Sequence, residues 1–167
     1  DSQGNLLSNY LSDEIFCNDR TITSGNGYNF DMGNNIYGAD FRNDSKKNPS
    51  LICQNKNDSF TVNNSLGNGN LDYPVALITL DETILAGGKI RTNNYKYYLH
   101  IDKSFWTMSP YSFSNDIVPR VAFAGLAPNG LYLSTSLGLR PVVNLSSDVL
   151  YSSGTGTEED PYKVSIN

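Results

Sequence analysis

The most regular patterning lies between Phe105 and Leu145. In Arg120-Val121-Ala122-Phe123-Ala124 the bulky apolar residues fall at every second position. That predicts a strand with Val121 and Phe123 on one face and Arg120, Ala122 and Ala124 on the other. Leu131 and Leu133 continue the alternation on a return strand, with Tyr132, Ser134 and Ser136 facing away. Pro128-Asn129-Gly130 predicts the turn between them, because proline presets φ and Asn-Gly tolerates positive φ. Phe105-Trp106-Thr107-Met108 suits a half-buried strand whose pairing Pro110, lacking an N–H, is expected to stop. An apolar strand over residues 138–145, carrying Arg140, closes the segment.

Upstream, Leu6, Leu7, Tyr10, Leu11 and Ile15 recur at helical spacing and predict an amphipathic helix over residues 5–15. Thr79 followed three residues later by Glu82 reads as a capping box for a second short helix over 80–86, ended by Gly87-Gly88. Residues 18–50 read mostly as loop, punctuated by Gly25, Gly27, Gly33 and Gly38, with a short helix near Tyr37 to Phe41. Residues 50–53 and 59–62 are strand candidates, and the tail ends in a turn and a last strand.

The residues Trp106-Thr107-Met108-Ser109-Pro110, Gly130 and Gly138-Leu139-Arg140-Pro141-Val142 resemble the C-terminal half of the C-type-lectin-like fold. The similarity is to its bacterial version, shared by formylglycine-generating-enzyme-like domains and the variable proteins of diversity-generating retroelements. It covers about a quarter of the chain, with a weaker echo at residues 73–88. The resemblance implies one α+β domain over residues 1–167, with two short helices on a mainly antiparallel twisted sheet and long loops. In the diversified proteins the residues between the Trp segment and the Gly-x-Arg-Pro strand are displayed for binding. Here those are Tyr111, Phe113, Asn115, Arg120, Ala122, Ala124, Asn129, Tyr132, Ser134 and Ser136. Such Tyr, Asn and Ser mixtures make adaptable binding surfaces, since aromatics give contact area at low entropy cost. The alternative is an ordinary solvent face that binds nothing.

The chain has 167 residues, a net charge of −5 and 17% charged residues, so its surface does not attract nucleic acid or anionic membrane. No apolar run is long enough to span a bilayer. The chain starts at Asp1, and we expect an export signal or anchor to lie upstream. Asn, Ser, Gly and Tyr largely replace Lys and Glu as the expected polar covering, a composition that suits secreted and cell-surface bacterial proteins. In that setting Cys17 and Cys53 are read as a disulfide rather than as two buried thiols.

Catalysis finds little support. His100 is the only histidine, with no partner that spacing can place, and reads as a surface or edge-strand residue. The formylglycine-generating enzymes use cysteines in the C-terminal half, where this chain has none. Calcium-dependent sugar binding in the lectin fold needs carboxylates that Ala127-Pro128-Asn129 and Trp106-Thr107-Met108 lack, and the Asn-rich stretches 55–58 and 63–70 read as solvated turns. Arg140 is read as a buried arginine held by carboxylate or carbonyl groups beneath the hairpin rather than as a ligand-binding guanidinium, and Trp106 as core. The expectation is a non-catalytic, extracellular binding domain without cofactor or metal, whose partner is a protein or glycan on another surface. The alternative is the head domain of a pilin-like or other surface fibre, self-assembling through a segment upstream.

Overall fold

The computed structural model describes residues 7–25, 35–113, 119–124, 128–157 and 159–166, with backbone alone at Leu7, Phe113, 119–124 and Ile166. After a 3-10 turn at Leu7–Tyr10 come Leu11–Ser12 (β1), Phe16–Cys17 (β2), Ile22–Ser24 (β3) and Asn35–Tyr37 (β4). Gly38–Asp40 (α1) runs directly into a π-helix at Phe41–Lys46, and Ser59–Phe60 (β5) and Val75–Leu77 (β6) precede Leu80–Leu85 (α2). The C-terminal half is Phe105–Phe113 (β7), Pro119–Ala124 (β8), Asn129–Tyr132 (β9), Pro141–Leu145 (β10), Val149–Ser153 (β11) and Lys163–Ile166 (β12). Every strand pair is antiparallel. The main sheet has the order β3-β4-β7-β8-β9, and a smaller one has the order β1-β10-β6. The result is a small α+β fold with mostly antiparallel sheets and two short helices.

Local chemistry sets α2. The Thr79 hydroxyl accepts from the Glu82 N–H at 3.1 Å, and the Glu82 carboxylate accepts from the Thr79 N–H at 2.8 Å. This is the capping box that the sequence predicts, and a cap of this kind contributes about 1 kcal/mol. At the other end Gly87 has φ +105°, a conformation only glycine adopts cheaply. The Gly87 and Gly88 N–H groups then close on the carbonyls of Ile84 and Thr83, the paired bonds of a Schellman stop.

β7 alternates strictly: Phe105, Thr107, Ser109 and Tyr111 are buried, and Trp106, Met108, Pro110 and Ser112 are only partly covered. The core face therefore carries two small hydroxyls, and Trp106 is half-buried rather than a core residue. Polar chemistry explains the choice. The Ser109 hydroxyl accepts the Leu80 N–H at 2.9 Å, one of the donors a helix leaves without a partner at its start. Pro110 does not end the strand; it pairs with Val121, and the register shifts on either side of it. A bulge accommodates the missing N–H.

Three further expectations are corrected. Among the described residues there is no helix over 5–15, only the turn at Leu7–Tyr10 before β1. Leu11 and Ser12 instead pair with Leu145 and Asn144 of β10, and Asp13 takes the N–H groups of Val62 and Asn63 at 2.8 and 2.7 Å. Asn129-Gly130 is not the hairpin turn. Asn129 pairs with Phe123 and Gly130 with Ala122, so both belong to β9 and the connection lies before them. Residues 50–53 form no strand.

The stretch expected as loop is organised around one acid. Asp81, buried at the start of α2, accepts from Arg42 Nε and Nη2 at 3.0 and 2.8 Å, Asn43 Nδ2 at 3.0 Å and the Ser50 N–H at 2.9 Å. Arg42 also pairs with Asp19. Burial opposes ionisation of Asp19, but hydrogen bonds from Thr21 and Arg42 outweigh it and hold its carboxyl below the usual range. The Asp81 and Asp19 carboxylates raise the Arg42 guanidinium further above its ordinary value, against the opposing pull of burial. The Cys17–Cys53 disulfide closes the same region across 36 residues. No helix of the described residues is long and apolar enough to cross a membrane.

Candidate functional site

Tyr111 is where the sequence reading of the site and the structure part most clearly. Expected to face outward, it is 3% exposed and packs with Ala39 and Leu80. The alternation of β7 decides this: Tyr111 shares the inward face with Phe105, Thr107 and Ser109. Its hydroxyl donates to the buried Asp40 carboxylate and accepts from Arg91 Nη2 at 3.0 Å. Arg91 in turn pairs with Asp44 at 2.6 Å, and its own N–H donates to the Pro128 carbonyl at 2.9 Å. Asp40 and Asp44 lie one helical turn apart on the α1–π segment. Four separate stretches of chain are thus drawn together beneath the end of the hairpin β8–β9.

Gly130 completes the clamp. A methyl group there would overlap the Tyr111 ring, so only glycine lets β9 close over it. Below the ring, burial lifts the Asp40 carboxyl to about 6, although the Tyr111 hydroxyl lowers it. Burial likewise raises the Tyr111 phenol, with the nearby Asp40 charge adding to the effect.

A pH dependence follows. Asp40 titrates near 3.8 when unfolded and near 6 when folded, so the folded state holds the extra proton between those values. Stability contributed by this group is full below the lower value and falls as pH rises through the window. The melting temperature should therefore decline across it, and Asp40→Asn, which cannot ionise, should remove that decline. Asp19 has the opposite sign and acts only as pH falls below its unfolded value of 3.8. Parallel melting curves for both proteins across the window would refute the assignment.

The remaining predicted site residues are spread rather than clustered. Asn129 and Tyr132 are half-buried in β9, and the Asn129 side chain accepts its neighbour Gly130's N–H at 2.8 Å. Ser134 and Ser136 are exposed beyond the end of the strand. Leu133, expected inward, is 55% exposed, because β9 ends at Tyr132. Arg120 pairs in register with Tyr132, and Ala122 with Gly130, while Ala124 pairs with Phe105. Asn115 lies outside the described residues, as do the side chains of Phe113, Arg120, Ala122 and Ala124.

Arg140 is only partly buried, but it donates to the Leu99 carbonyl at 3.1 Å, as a held arginine should, and lies 5.4 Å from the Phe105 ring centre. His100 is not an edge-strand residue; it sits in a loop, edge-on to Tyr95 and Tyr97 at 5.6 and 6.1 Å. The Asn-rich turns use their own side chains. Asn55, Asn63 and Asn68 accept the N–H two residues ahead, at 3.0, 2.9 and 3.0 Å.

The sequence reading missed Asp40, Asp44 and Arg91. A signal for the first two existed, since acids at i and i+4 beside the short helix expected near Tyr37 share a face. Arg91 had none, lying in a stretch that read as a tyrosine-rich linker. Compared with known proteins, the chain matches no family model, no curated protein and no solved structure.

Proposed function

We propose that this domain is an extracellular, non-catalytic binding module of the C-type-lectin-like kind. Its ligand, a protein or a glycan on another surface, is taken at the hairpin β8–β9 and the residues that follow it. The observation that carries the reading is the clamp beneath the hairpin. Tyr111 is held by Asp40 and Arg91, Gly130 closes on its ring, and the Arg91 N–H holds the Pro128 carbonyl. A frame fixed in this way presents the residues at its end with little ordering left to do on binding. Those residues are of the adaptable type: Ser134 and Ser136 are exposed, and Tyr132, half-buried on the face of β9 that Gly130 turns to Tyr111, has Arg120 in register beside it. The disulfide and the polar, weakly charged composition support the extracellular setting.

Probing glycan and cell-surface protein arrays with the wild-type domain tests this. Tyr132→Ala and Arg120→Ala should each weaken the strongest binding by about 1–2 kcal/mol, while melting stays close to wild type. Retention of full affinity in both variants would remove the hairpin as the site. A large loss of melting temperature in Tyr132→Ala would make that residue structural instead.

A further inference from the structure

A cavity of about 330 Å³ opens beside the Tyr111 clamp, between the α1–π segment and the chain that leaves α2. That volume is at the small end for ligand pockets and holds a group the size of one amino-acid residue. Ile84 and Ile90 supply aliphatic wall, and Lys47 and Lys89 bring two cations. The Lys47 ammonium is 3.4 Å from Asp44 with its side chain 67% exposed, and Lys89 has no ion pair among the described residues.

Two features mark the cavity as built. The backbone is unusual on both sides of it. Lys47 and Arg91, at φ 54° and 53°, are the non-glycine residues with positive φ among the described residues, and the π-helix precedes the first of them. Such conformations persist where the surroundings impose them, and they gather at ligand sites. The second feature is Asn43, which lines the cavity and is 2% exposed. Its Nδ2 donates to the Ala39 carbonyl at 2.8 Å and to Asp81 at 3.0 Å. The opposite amide orientation would set oxygen against two acceptors, so this one holds. Oδ1 is left buried without a hydrogen-bond partner. A buried acceptor closed to water gains the full value of any donor brought to it.

We infer that this cavity binds a small α-acylamino carboxylate. The carboxylate sits between Lys47 and Lys89, the aliphatic side chain lies against Ile84 and Ile90, and the amide N–H completes Asn43. Two sources carry this chemistry, a free N-acyl amino acid and the C-terminal residue of a peptide. The site is separate from the hairpin face and does not depend on it.

The test is an NMR titration of the isotope-labelled domain with three probes: Nα-acetyl-leucine, Nα-acetyl-leucinamide and a tetrapeptide ending in leucine. The acid should shift amides at residues 43, 47 and 84–92 at millimolar concentration. The neutral leucinamide should bind about tenfold more weakly, as should the acid to a Lys47→Gln/Lys89→Gln variant, since a charge-assisted contact is lost. Both lysines are exposed, and unchanged melting will show that the variant is folded. Tighter binding of the tetrapeptide assigns the chain end as the source, and equal or weaker binding assigns the free acid. The inference is overturned if neither acid nor tetrapeptide shifts these residues, or if leucinamide binds as well as the acid. Tyr132→Ala should leave these shifts intact, which separates this site from the hairpin face.

Discussion

Replacing Asp81 with alanine is expected to destabilise the domain by about 3–5 kcal/mol, the range for removing one partner of a buried ion pair. The Asp81 side chain is 5% exposed, and its carboxylate takes both forks of Arg42, the amide of Asn43 and the backbone N–H of Ser50. Alanine removes the acceptor from the Ser50 N–H and from one side of Arg42, while the Asn43 amide keeps only the Ala39 carbonyl. Arg42 retains Asp19 as a partner, so the guanidinium does not lose all compensation. Asp81→Asn keeps one acceptor but turns an NH2 group toward donors, so it should fall between alanine and wild type. Denaturant unfolding of the three proteins, with unchanged slope, measures the difference. A loss below about 1 kcal/mol, typical of exposed pairs, would mean that this network does not organise the fold.

Removing the disulfide should have an effect of similar size. Cys17 and Cys53 close a loop across 36 residues, which the chain-entropy model values at about 3.8 kcal/mol. Ordinary domains have only about 5–15 kcal/mol in total. The closed segment contains β3, β4, α1 and the π-helix, and is tied to the rest of the fold also by the β4–β7 pairing, by the Arg42–Asp81, Arg91–Asp44 and Arg20–Asp58 ion pairs and by the Tyr111–Asp40 hydrogen bond. Cys17→Ser/Cys53→Ser should therefore melt far below the wild type, and reductant should lower the wild type to match while leaving the variant unchanged. Free thiols titrated on the freshly purified wild type before reduction would contradict the pairing. If the Asp81 and disulfide variants are combined, the losses should not add, because both act on the same segment.

The two networks also bear on the proposed sites. The segment they hold carries Asp40 and Asp44, which anchor Tyr111 and Arg91 beneath the hairpin, and Asn43 and Lys47, which line the cavity. Loosening it should weaken binding at either place through the frame. Binding assays on hairpin variants therefore need the melting control given above.

Contacts between near neighbours in the chain were readable from residue order alone. The α2 capping box needs only Thr79 and Glu82 three positions apart, and its stop needs only Gly87-Gly88. The strands on either side of residue 125 followed from alternation, and the Cys17–Cys53 bond from a cysteine pair in a secreted-type composition. Tertiary structure decided the rest, because alternation marks two faces without saying which one is inward. In β7 the bulky Trp106 and Met108 suggested one answer. The need of the Leu80 N–H for the Ser109 hydroxyl, and of Asp40 and Arg91 for Tyr111, imposed the other. Likewise, helical spacing at Leu7, Tyr10 and Leu11 lost to the open edge of β10, which gave Leu11 and Ser12 ladder hydrogen bonds that a short isolated helix could not match. Asp40, Arg91, Tyr111 and Gly130 are far apart in sequence, and no local rule joins them. The meeting of Asp40 and Tyr111 depends on desolvation: only when the strands and helix exclude water do a carboxyl and a phenol need one another, and Arg91 joins them from an exposed position.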